Sequence, residues 1–450
     1  MIPITEFAGR EVAVFGLARS GLSAARALTA GGAIVHAWDD NEAARVAAEA
    51  EGVPVSDINA RDWRGFAALV LSPGIALTHP KPHRVVELAR SVGVPVIGDI
   101  ELFALCRPSL PAHRVVGITG TNGKSTTTAL LHHVLQSAAL PTRMGGNIGL
   151  PVLSQNPLDK GGVYVLELSS YQIDLTHTLQ CDVAALLNLT PDHLDRYDGF
   201  AGYAASKARL FAMQRSDQFA VFGMSDAKTQ AIAAREAQLR DPGKVRIVDG
   251  QNLTAMQSDW PSLQGPHNLQ NAAVAVAIAE ALGLTPAQWG PALASFRGLP
   301  HRMERVADVG GVMFINDSKA TNPASAAPAL AAFPPNPRRR IHWIVGGLPK
   351  DDNLGECMPF VKNVAAAYTI GEAGPLFADL LEDQVPVTRS EMMCEAIRQA
   401  MDVAVPGDVV LLSPACASFD QFRDYEARGD TFRQIVEALS TPEPAAGTKR

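Results

Sequence analysis

The sequence has little charge and no broad basic region. Of its 450 residues 19% are charged, and the formal net charge is −7 at pH 7. The one short basic block is Arg338-Arg339-Arg340. Because nucleic-acid-binding proteins usually carry a wider basic surface, we expect no nucleic-acid partner. An anionic substrate must instead be held by a few placed lysines, arginines and backbone N–H groups.

Paired cysteines are also missing. The five cysteines are Cys106, Cys181, Cys357, Cys394 and Cys416, and no two of them stand at C-x-x-C spacing. The odd number and the spacing argue against a disulfide framework and against a zinc site. We expect free thiols in a reducing cytoplasm.

Long apolar runs are absent as well. No uninterrupted apolar segment reaches about 18 residues, so we expect no membrane span. Residues 1–10 lack the charged-then-apolar pattern of a signal peptide. Apolar residues still make up 47% of the chain, which is enough for full cores in two to four domains. We expect the chain to act as a monomer.

Short apolar runs alternate with helical patterns along the chain, which indicates parallel α/β domains. Two prolines in 106–114 indicate a linker after the first domain, and a third domain is expected after 296–306. We predict strands at 11–17, 33–40, 67–75, 114–120, 163–169, 182–190, 218–224, 312–318, 341–347, 365–371 and 408–414, and helices at 20–32, 125–138 and 265–283.

The segment TGTNGKSTTT, residues 119–128, predicts a phosphate-binding loop between a strand and a helix. The standard pattern G-x-x-x-x-G-K-[ST] requires a glycine where Ile118 stands, so the match is a variant. The physical context still fits, because backbone N–H groups and the helix dipole would face the phosphates. Lys124 would reach the β- and γ-phosphates, and Ser125 could bind Mg²⁺.

Acidic residues follow two neighbouring predicted strands. Glu167 ends the strand 163–169, and Asp192, His193, Asp195 and Asp198 follow the strand 182–190. The carboxyl ends of parallel strands are where sites form, so a metal site beside the phosphate loop is one interpretation. The other interpretation is that these residues cap helices or occupy ordinary surface positions. The sequence does not distinguish between the two interpretations.

The segment GLARSG near the N-terminus resembles a damaged dinucleotide motif. Gly16 and Gly21 are present, but Ala18 occupies the position of the middle glycine. Asp39 stands where the acid at the end of the second strand is expected. A nucleotide diphosphate fits this pattern as well as NAD does, and Ala18 argues against NAD.

Taken together, these motifs resemble those of the Mur ligases, the ATP-dependent amide-forming enzymes of peptidoglycan synthesis. The resemblance covers nearly the whole chain and is strongest to the members that add D-glutamate. It rests on GLARSGLS (16–23), SPGI (72–75), GDIELF (98–103), GITGTNGKSTTT (117–128), GGNIG (145–149), ELSSYQ (167–172), TPDHLDRY (190–197), KARLF (207–211), GPHNLQNAAVA (265–275), GLPHRME (298–304), NDSKATNPAS (316–325) and SPACASFDQF (413–422).

The resemblance implies three α/β domains. A Rossmann-like domain at 1–101 would bind the UDP-sugar, a central P-loop ATPase-type domain at 102–298 would bind ATP, and a Rossmann-like domain at 299–450 would bind the amino acid. It also implies the reaction. ATP would phosphorylate the L-alanyl carboxylate of UDP-N-acetylmuramoyl-L-alanine, and D-glutamate would attack the acyl phosphate, with two Mg²⁺ ions neutralising the phosphate oxygens.

The resemblance further implies residue roles at the reacting end. Asn271 would lie on the adenine side, Arg302 would contact phosphate, and Asp317 would contact ribose. Lys207 would be carbamylated and bind the second Mg²⁺ with His193, although by itself its segment predicts a helix-surface lysine. The implied catalytic residues are Lys124, Glu167, His193, Lys207, Asn147 and His301. The implied ATP-binding residues are Thr119, Gly120, Thr121, Asn122, Gly123, Lys124, Ser125, Asn271, Arg302 and Asp317. The implied metal ligands are Ser125, Glu167, His193 and carbamylated Lys207.

The remaining implied residues bind the other two substrates. Asp40 and Asn41 depart from the hydroxyl and arginine that the family would place there, so no side-chain role is predicted for them. Tyr425 stands where the family often has phenylalanine. The implied UDP-substrate residues are Leu17, Ala18, Asp39, Ser72, Pro73, Gly74 and Asn147. The implied D-glutamate residues are Lys319, Thr321, Lys350, Ser418, Phe419 and Tyr425.

Other functions remain open on the residues alone. A Mur-type ligase could add a different amino acid, and a P-loop ATPase or kinase could share the phosphate loop without making an amide. A kinase would release a stable phosphorylated product. A ligase would release phosphate only when both the acceptor and the amine are present.

Overall fold

The computed structural model describes residues 1–224, 226–349 and 352–440. Contacts divide the chain into two compact units. The first comprises Met1–Gln251 and Gln270–Ala292, and the second comprises Asn252–Leu269 and Leu293–Arg450. Within the described residues no helix is both long enough and apolar enough to cross a bilayer.

The first unit begins with a four-stranded parallel sheet in the order β2-β1-β3-β4. Each inner strand is an apolar run because helices cover both faces of the sheet. The strands are β1 Glu11–Phe15, β2 Ile34–Trp38, β3 Leu69–Leu71 and β4 Val96–Ile97. The helices are α1 Arg19–Ala30, α2 Glu42–Ala50, α3 Arg84–Ser91 and α4 Asp99–Cys106.

A six-stranded parallel sheet follows in the same unit, in the order β10-β9-β8-β5-β7-β6. Because β5 lies between β7 and β8, the loops after these three strands meet at one edge. The strands are β5 His113–Thr119, β6 Thr142–Gly146, β7 Gly162–Glu167, β8 Val183–Leu186, β9 Phe219–Gly223 and β10 Val245–Val248. The helices of this part of the chain are α5 Lys124–Ser137, α6 Ser170–Asp174, α7 Gly199–Ala212, α8 Ala227–Leu239, α9 Pro266–Ala281 and α10 Pro286–Ser295, of which α9 and α10 have residues in both units.

The second unit contains a sheet in the order β11-β12-β16-β13-β14-β15. Only β11, at one edge, runs antiparallel to its neighbour among the described strands. The strands are β11 Glu304–Val309, β12 Val312–Asn316, β13 Ile341–Gly346, β14 Val364–Ile370, β15 Val387–Glu391 and β16 Val409–Leu412. The helices are α11 Pro323–Ala331, α12 Gly374–Leu381, α13 Met393–Val403 and α14 Tyr425–Ser440.

These sheets confirm the predicted α/β fold class. All eleven predicted strands and all three predicted helices are present, with ends that differ by a few residues. The sequence missed the strands β4, β6, β10, β11 and β15, and each of them is an edge strand. The domain boundaries at 101 and 298 stay predictions.

Glu101 on α4 connects the first sheet's last helix to the layer around the second sheet. Its carboxylate is buried and accepts hydrogen bonds from the backbone N–H groups of His177 at 2.7 Å and Thr178 at 2.9 Å. The Thr178 hydroxyl donates a third at 2.8 Å. Because a buried carboxylate needs such donors, these bonds fix α4 against the segment that follows α6.

Replacing Glu101 should therefore destabilise the first unit. Glu101→Ala removes the buried acceptor of three hydrogen bonds, and we expect the free energy of unfolding to fall by about 3 kcal/mol. Glu87→Ala on the exposed face of α3 serves as the control and should change it by less than about 0.5 kcal/mol. Urea unfolding followed by circular dichroism measures both, and equal effects of the two variants would contradict this assignment.

Candidate functional site

The predicted phosphate loop joins β5 to α5 in the conformation that such a loop needs. Gly120 has a φ of 152° and Gly123 has a φ of 84°, both in a region that favours glycine. Gly123 is the N-cap of α5 and offers no side-chain oxygen to the first N–H groups of the helix. No N-cap side chain therefore competes with an anion for these groups, and the helix dipole also favours an anion there.

Asn188, which follows β8, holds this loop from the neighbouring strand. Its side-chain oxygen accepts from Asn122 N at 2.8 Å, and its side-chain NH₂ donates to Asn122 O at 3.0 Å. Its backbone oxygen accepts from Thr121 N at 2.9 Å. The sequence analysis did not select Asn188, because an asparagine after a strand also fits a simple turn.

Two further predicted residues lie against the loop. The Lys124 ammonium donates to Gly120 O at 2.9 Å and to Thr121 O at 2.7 Å, so it folds back over the loop's concave side. Asn271 on α9 packs so close to Gly123 that a Cβ there would lie 2.2 Å from its side-chain oxygen. This contact explains why the residue before Lys124 must be glycine.

Glu167 ends β7 and is buried beside the loop. One carboxylate oxygen, Oε1, accepts from the side-chain NH₂ of Asn147 at 2.8 Å. The other oxygen, Oε2, is buried without a hydrogen-bond partner among the described residues. A buried carboxylate oxygen in this state is costly unless a cation or an ordered water reaches it, so its position fits a Mg²⁺ ligand.

Lys207 on α7 is buried, which corrects the sequence-based prediction of a helix-surface lysine. Its ammonium lies 3.4 Å from the hydroxyl of Thr119 at the end of β5. Within the described part of the chain it forms no ion pair. Burial, followed by the charge of Lys124, lowers the pKa of Lys207 to about 7, although Asp192 and other carboxylates oppose the shift.

His193 lies in the loop after β8 with a left-handed φ of 51°. Its side chain is exposed, with Nε2 3.5 Å from Asp192 Oδ2 and its ring centroid 5.0 Å from that of Tyr171. Across residues 1–224, 226–349 and 352–440 no group of three His, Cys, Asp or Glu side chains is placed to hold a metal. Asp195 and Asp198 are exposed and do not join Glu167 in such a group.

Arg196, three residues after His193, ties this loop to the first sheet's SPGI segment. Its guanidinium donates to Gly74 O at 3.2 Å and to Ile75 O at 3.1 Å, and it lies over the Tyr171 ring at 4.6 Å. Pro73 and Ile75 line a pocket there together with Tyr171 and Arg196. The His193 loop and the predicted UDP loop are thus held by one side chain, which no sequence motif indicated.

All the predicted UDP residues except Asn147, which follows β6 of the second sheet, lie at the carboxyl end of the first sheet. The Asp39 carboxylate accepts from Leu17 N at 2.6 Å, and the Ser72 hydroxyl donates to Gly16 O at 2.7 Å. Ala18 is the N-cap of α1 and supplies no side-chain acceptor. These two hydrogen bonds hold the turn between β1 and α1 against the loops that follow β2 and β3.

Asp40 and Asn41, for which the sequence predicted no substrate role, have structural partners. Asp40 Oδ2 lies 3.1 Å from His83 Nε2. The Asn41 side-chain oxygen accepts from Ala43 N at 2.9 Å and caps α2. Both side chains therefore stabilise loops and helix ends around the first sheet.

In the second unit, His301, Arg302 and Asp317 surround a turn with unusual backbone angles. His301 has a φ of 60°, and its Nδ1 lies 3.2 Å from the side-chain nitrogen of Asn316. Asp317 is buried and accepts from Met303 N at 3.1 Å and from the Ser413 hydroxyl at 2.8 Å, and burial raises its pKa to about 7. Arg302 Nε is buried without a partner among the described residues.

Of the predicted D-glutamate residues, Lys319 and Thr321 follow β12, Ser418 and Phe419 follow β16, and Tyr425 begins α14. The Lys319 ammonium donates to the Tyr425 hydroxyl at 3.2 Å, and Thr321 N donates to Lys319 O at 2.9 Å. Ser418 is buried, whereas 68% of Phe419 is exposed. Lys350 lies outside the described residues. Cys416 is buried.

Two family models match the chain. A model described as "Mur ligase middle domain" matches residues 118–279. A model described as "Mur ligase, glutamate ligase domain" matches residues 301–416. The first match contains the phosphate loop, Glu167, His193 and Lys207, and the second begins at His301.

Curated relatives match almost the full chain, and three of them share the name UDP-N-acetylmuramoylalanine--D-glutamate ligase. The protein of Novosphingobium aromaticivorans is 65% identical, over 98% of this chain and 97% of its own. That of Sphingopyxis alaskensis is 55% identical, over 98% and 100%. That of Zymomonas mobilis is 50% identical, also over 98% and 100%.

Solved structures share the fold at low identity. UDP-N-acetylmuramate-alanine ligase from Thermotoga maritima is 16% identical, with a TM-score of 0.56 over 95% of this chain and 99% of that one. The MurF ligase from Thermotoga maritima, solved in complex with ADP, is also 16% identical, with a TM-score of 0.55 over 83% and 90%. At this identity the likeness shows the fold alone.

The contact between Gly123 and Asn271 gives a direct test of the phosphate loop. Gly123→Ala forces a Cβ into the Asn271 side chain at a positive φ, and we expect the affinity for ATP to fall at least about 10-fold. Gly243→Ala is a matched control, because Gly243 has a φ of 80° and nothing within 4 Å of an added Cβ. Titration calorimetry measures binding, and equal ATP affinities of the two variants would exclude the loop as the phosphate site.

Proposed function

Because this chain belongs to the Mur ligase family, we propose that it is an ATP-dependent ligase that joins D-glutamate to UDP-N-acetylmuramoyl-L-alanine. The observation that carries this function is the 65% identity, over 98% of the chain, to a curated D-glutamate ligase. ATP is a co-substrate, and the product is a precursor of peptidoglycan.

The reaction needs phosphate because a carboxylate is a poor acyl donor. Attack on a free carboxylate would have to expel oxide, which is a poor leaving group. Transfer of the γ-phosphoryl group to the L-alanyl carboxylate gives an acyl phosphate, whose leaving group is phosphate. The D-glutamate amine then attacks the acyl phosphate, and the tetrahedral intermediate collapses with release of phosphate. The work of the protein is to position the reactants and to balance charge as it develops.

The triphosphate binds at the loop 119–125. The N–H groups at the start of α5 and the Lys124 ammonium face the phosphates, while Asn188 fixes the loop from β8. Lys124 now donates to Gly120 O and Thr121 O, and it exchanges at least one of these contacts for a phosphate oxygen. In the second unit, the partnerless Nε of Arg302 suits a further phosphate contact.

Ser125 and Glu167 would hold one Mg²⁺ ion, and His193 and carbamylated Lys207 would hold a second. When bound, they neutralise the phosphate oxygens that must approach the carboxylate. The unpartnered Glu167 Oε2 supports the first site. Mg²⁺ commonly takes one or two carboxylates and completes its shell with phosphate and water, so a larger protein cluster is not needed.

The other two substrates use residues of the remaining loops. The UDP-sugar binds along Leu17, Ala18, Asp39 and the 72–74 segment, and Asn147, oriented by Glu167, contacts its reacting end. D-glutamate is dianionic in its carboxylates and is held by cations and hydroxyls. The residues proposed for it are Lys319, Thr321, Lys350, Ser418, Phe419 and Tyr425.

We place the enzyme in the cytoplasm as a monomer. Cys106, Cys181, Cys357 and Cys416 are buried thiols, and no disulfide joins any of the five cysteines. Free thiols are typical of a reducing compartment, where ATP is also available.

Phosphate release tests the function directly. With ATP, Mg²⁺ and UDP-N-acetylmuramoyl-L-alanine, we expect release only when D-glutamate is added, because acyl phosphate is consumed by the amine. Parallel reactions contain L-glutamate, L-alanine or no amino acid. Release with another amino acid would keep the ligase class and change the substrate. Phosphate release without any amino acid would make the chain a plain ATPase.

Carbamylation of Lys207 is a separate prediction. The neutral amine attacks the carbon of CO₂, a proton leaves to solvent, and an N-carboxylate remains. With ¹³C-bicarbonate, the NMR spectrum of the enzyme should show a carbamate signal that Lys207→Arg lacks and that the exposed-lysine control Lys160→Arg retains. Ligase turnover of Lys207→Arg should fall roughly 100-fold or more. A signal of equal size in wild type and Lys207→Arg would refute the assignment.

A further inference from the structure

Arg428 on α14 is a buried cation that none of the family motifs contains. Only 1% of the residue is exposed. Within the described residues it has no ion pair, and its guanidinium donates to neutral oxygens instead. Nε donates to Ser318 Oγ at 3.0 Å, and the two terminal nitrogens donate to Ser318 O at 2.8 Å, Cys416 O at 3.0 Å and Ala417 O at 3.1 Å.

These partners lie immediately before two residues of the proposed amino-acid site. Ser318 precedes Lys319 in the segment after β12, and Ala417 precedes Ser418 in the segment after β16. The two strands are neighbours in the sheet, so both segments leave the same edge. One guanidinium therefore holds the two backbones at a fixed separation.

A third segment, which follows β13, meets the same group. Leu348 and Ala417 exchange backbone hydrogen bonds, each at 3.0 Å. A Cβ added at Gly347 would lie 3.1 Å from a terminal nitrogen of Arg428. The loops after β12, β16 and β13 thus converge on Arg428.

Only arginine suits this position. Its planar fork presents five N–H donors in fixed directions, whereas lysine has three donors on one atom and cannot span both segments. Burial lowers the pKa of Arg428 to about 10, with Cys416 and Asp420 opposing the shift, so the side chain stays charged near neutral pH. Its hydrogen bonds are therefore charge-assisted and stronger than neutral ones.

We propose that Arg428 is a positioning residue for the amino-acid substrate, which it serves by holding the Lys319 and Ser418 segments in register. It does not touch the substrate itself, because the side chain is buried and four of its five N–H donors bind the two segments. The inference rests on the proposed function, since Lys319 and Ser418 are assigned to D-glutamate there.

Arg428→Lys tests this role by steady-state phosphate release with D-glutamate varied and the other substrates saturating. We expect the KM for D-glutamate to rise roughly 10- to 100-fold, because several charge-assisted bonds between the segments are lost. The KM values for ATP and for UDP-N-acetylmuramoyl-L-alanine should stay within about twofold of wild type. A merely structural loss would lower the active fraction and leave all three KM values unchanged.

Two further variants support the measurement. Ser318→Ala removes one acceptor of Arg428 and keeps the guanidinium, and we expect the KM for D-glutamate to rise about 3- to 10-fold. If Arg428→Lys does not fold, the KM of Ser318→Ala for D-glutamate decides whether the positioning role is right. Arg398→Lys is the control, because Arg398 is an exposed arginine of the same unit paired with Glu395 and Asp402.

The outcomes separate this proposal from the function on which it rests. If the wild-type enzyme requires D-glutamate and the folded variants keep its KM, the positioning role is wrong and the function stands. A parallel rise of all three KM values would also overturn it. If wild-type phosphate release does not depend on D-glutamate, the proposed function itself is wrong.

Discussion

The position of β5 between β7 and β8 is the constraint on which the site in the first unit depends. Neighbouring parallel strands end at the same edge of the sheet. The loops after β5, β7 and β8 therefore meet there, although they are well separated along the chain. The loop after β5 supplies the backbone N–H groups, β7 ends in Glu167, and the loop after β8 supplies Asn188 and His193. Each of these residues is ordinary in its own segment.

Three of the residues proposed for function are buried charged side chains that form no ion pair among the described residues. Glu167 Oε2 has no hydrogen-bond partner in the described part of the chain, the Lys207 ammonium contacts the Thr119 hydroxyl and the Tyr203 ring, and Arg428 donates to neutral oxygens. Burying such groups is unfavourable in the absence of a partner, and the rest of each core must stabilise them. Glu167 and Lys207 fit groups that gain a partner when ligands bind. Arg428 differs, because its hydrogen bonds already join two loops.

The sequence predicted the strands that have neighbours on both sides. Strands such as β5 and β13 are buried on both faces and therefore are continuous apolar runs. The missed strands β6, β11 and β15 lie at sheet edges, where one side needs no strand partner and polar residues are tolerated. Segments such as VTRSE, residues 387–391, therefore carry no apolar run by which a strand is identified.

The sequence by itself determined the α/β class, the phosphate loop and the family, because glycines, Lys124 and the ordered motifs are local in the chain. The tertiary structure decided which side chains are buried and which loops meet. Lys207 looked like a surface lysine because burial depends on what packs against α7. Asn188, Arg196 and Arg428 carried no signal because their partners lie far away in sequence, and only the folded sheets bring such groups within hydrogen-bonding distance.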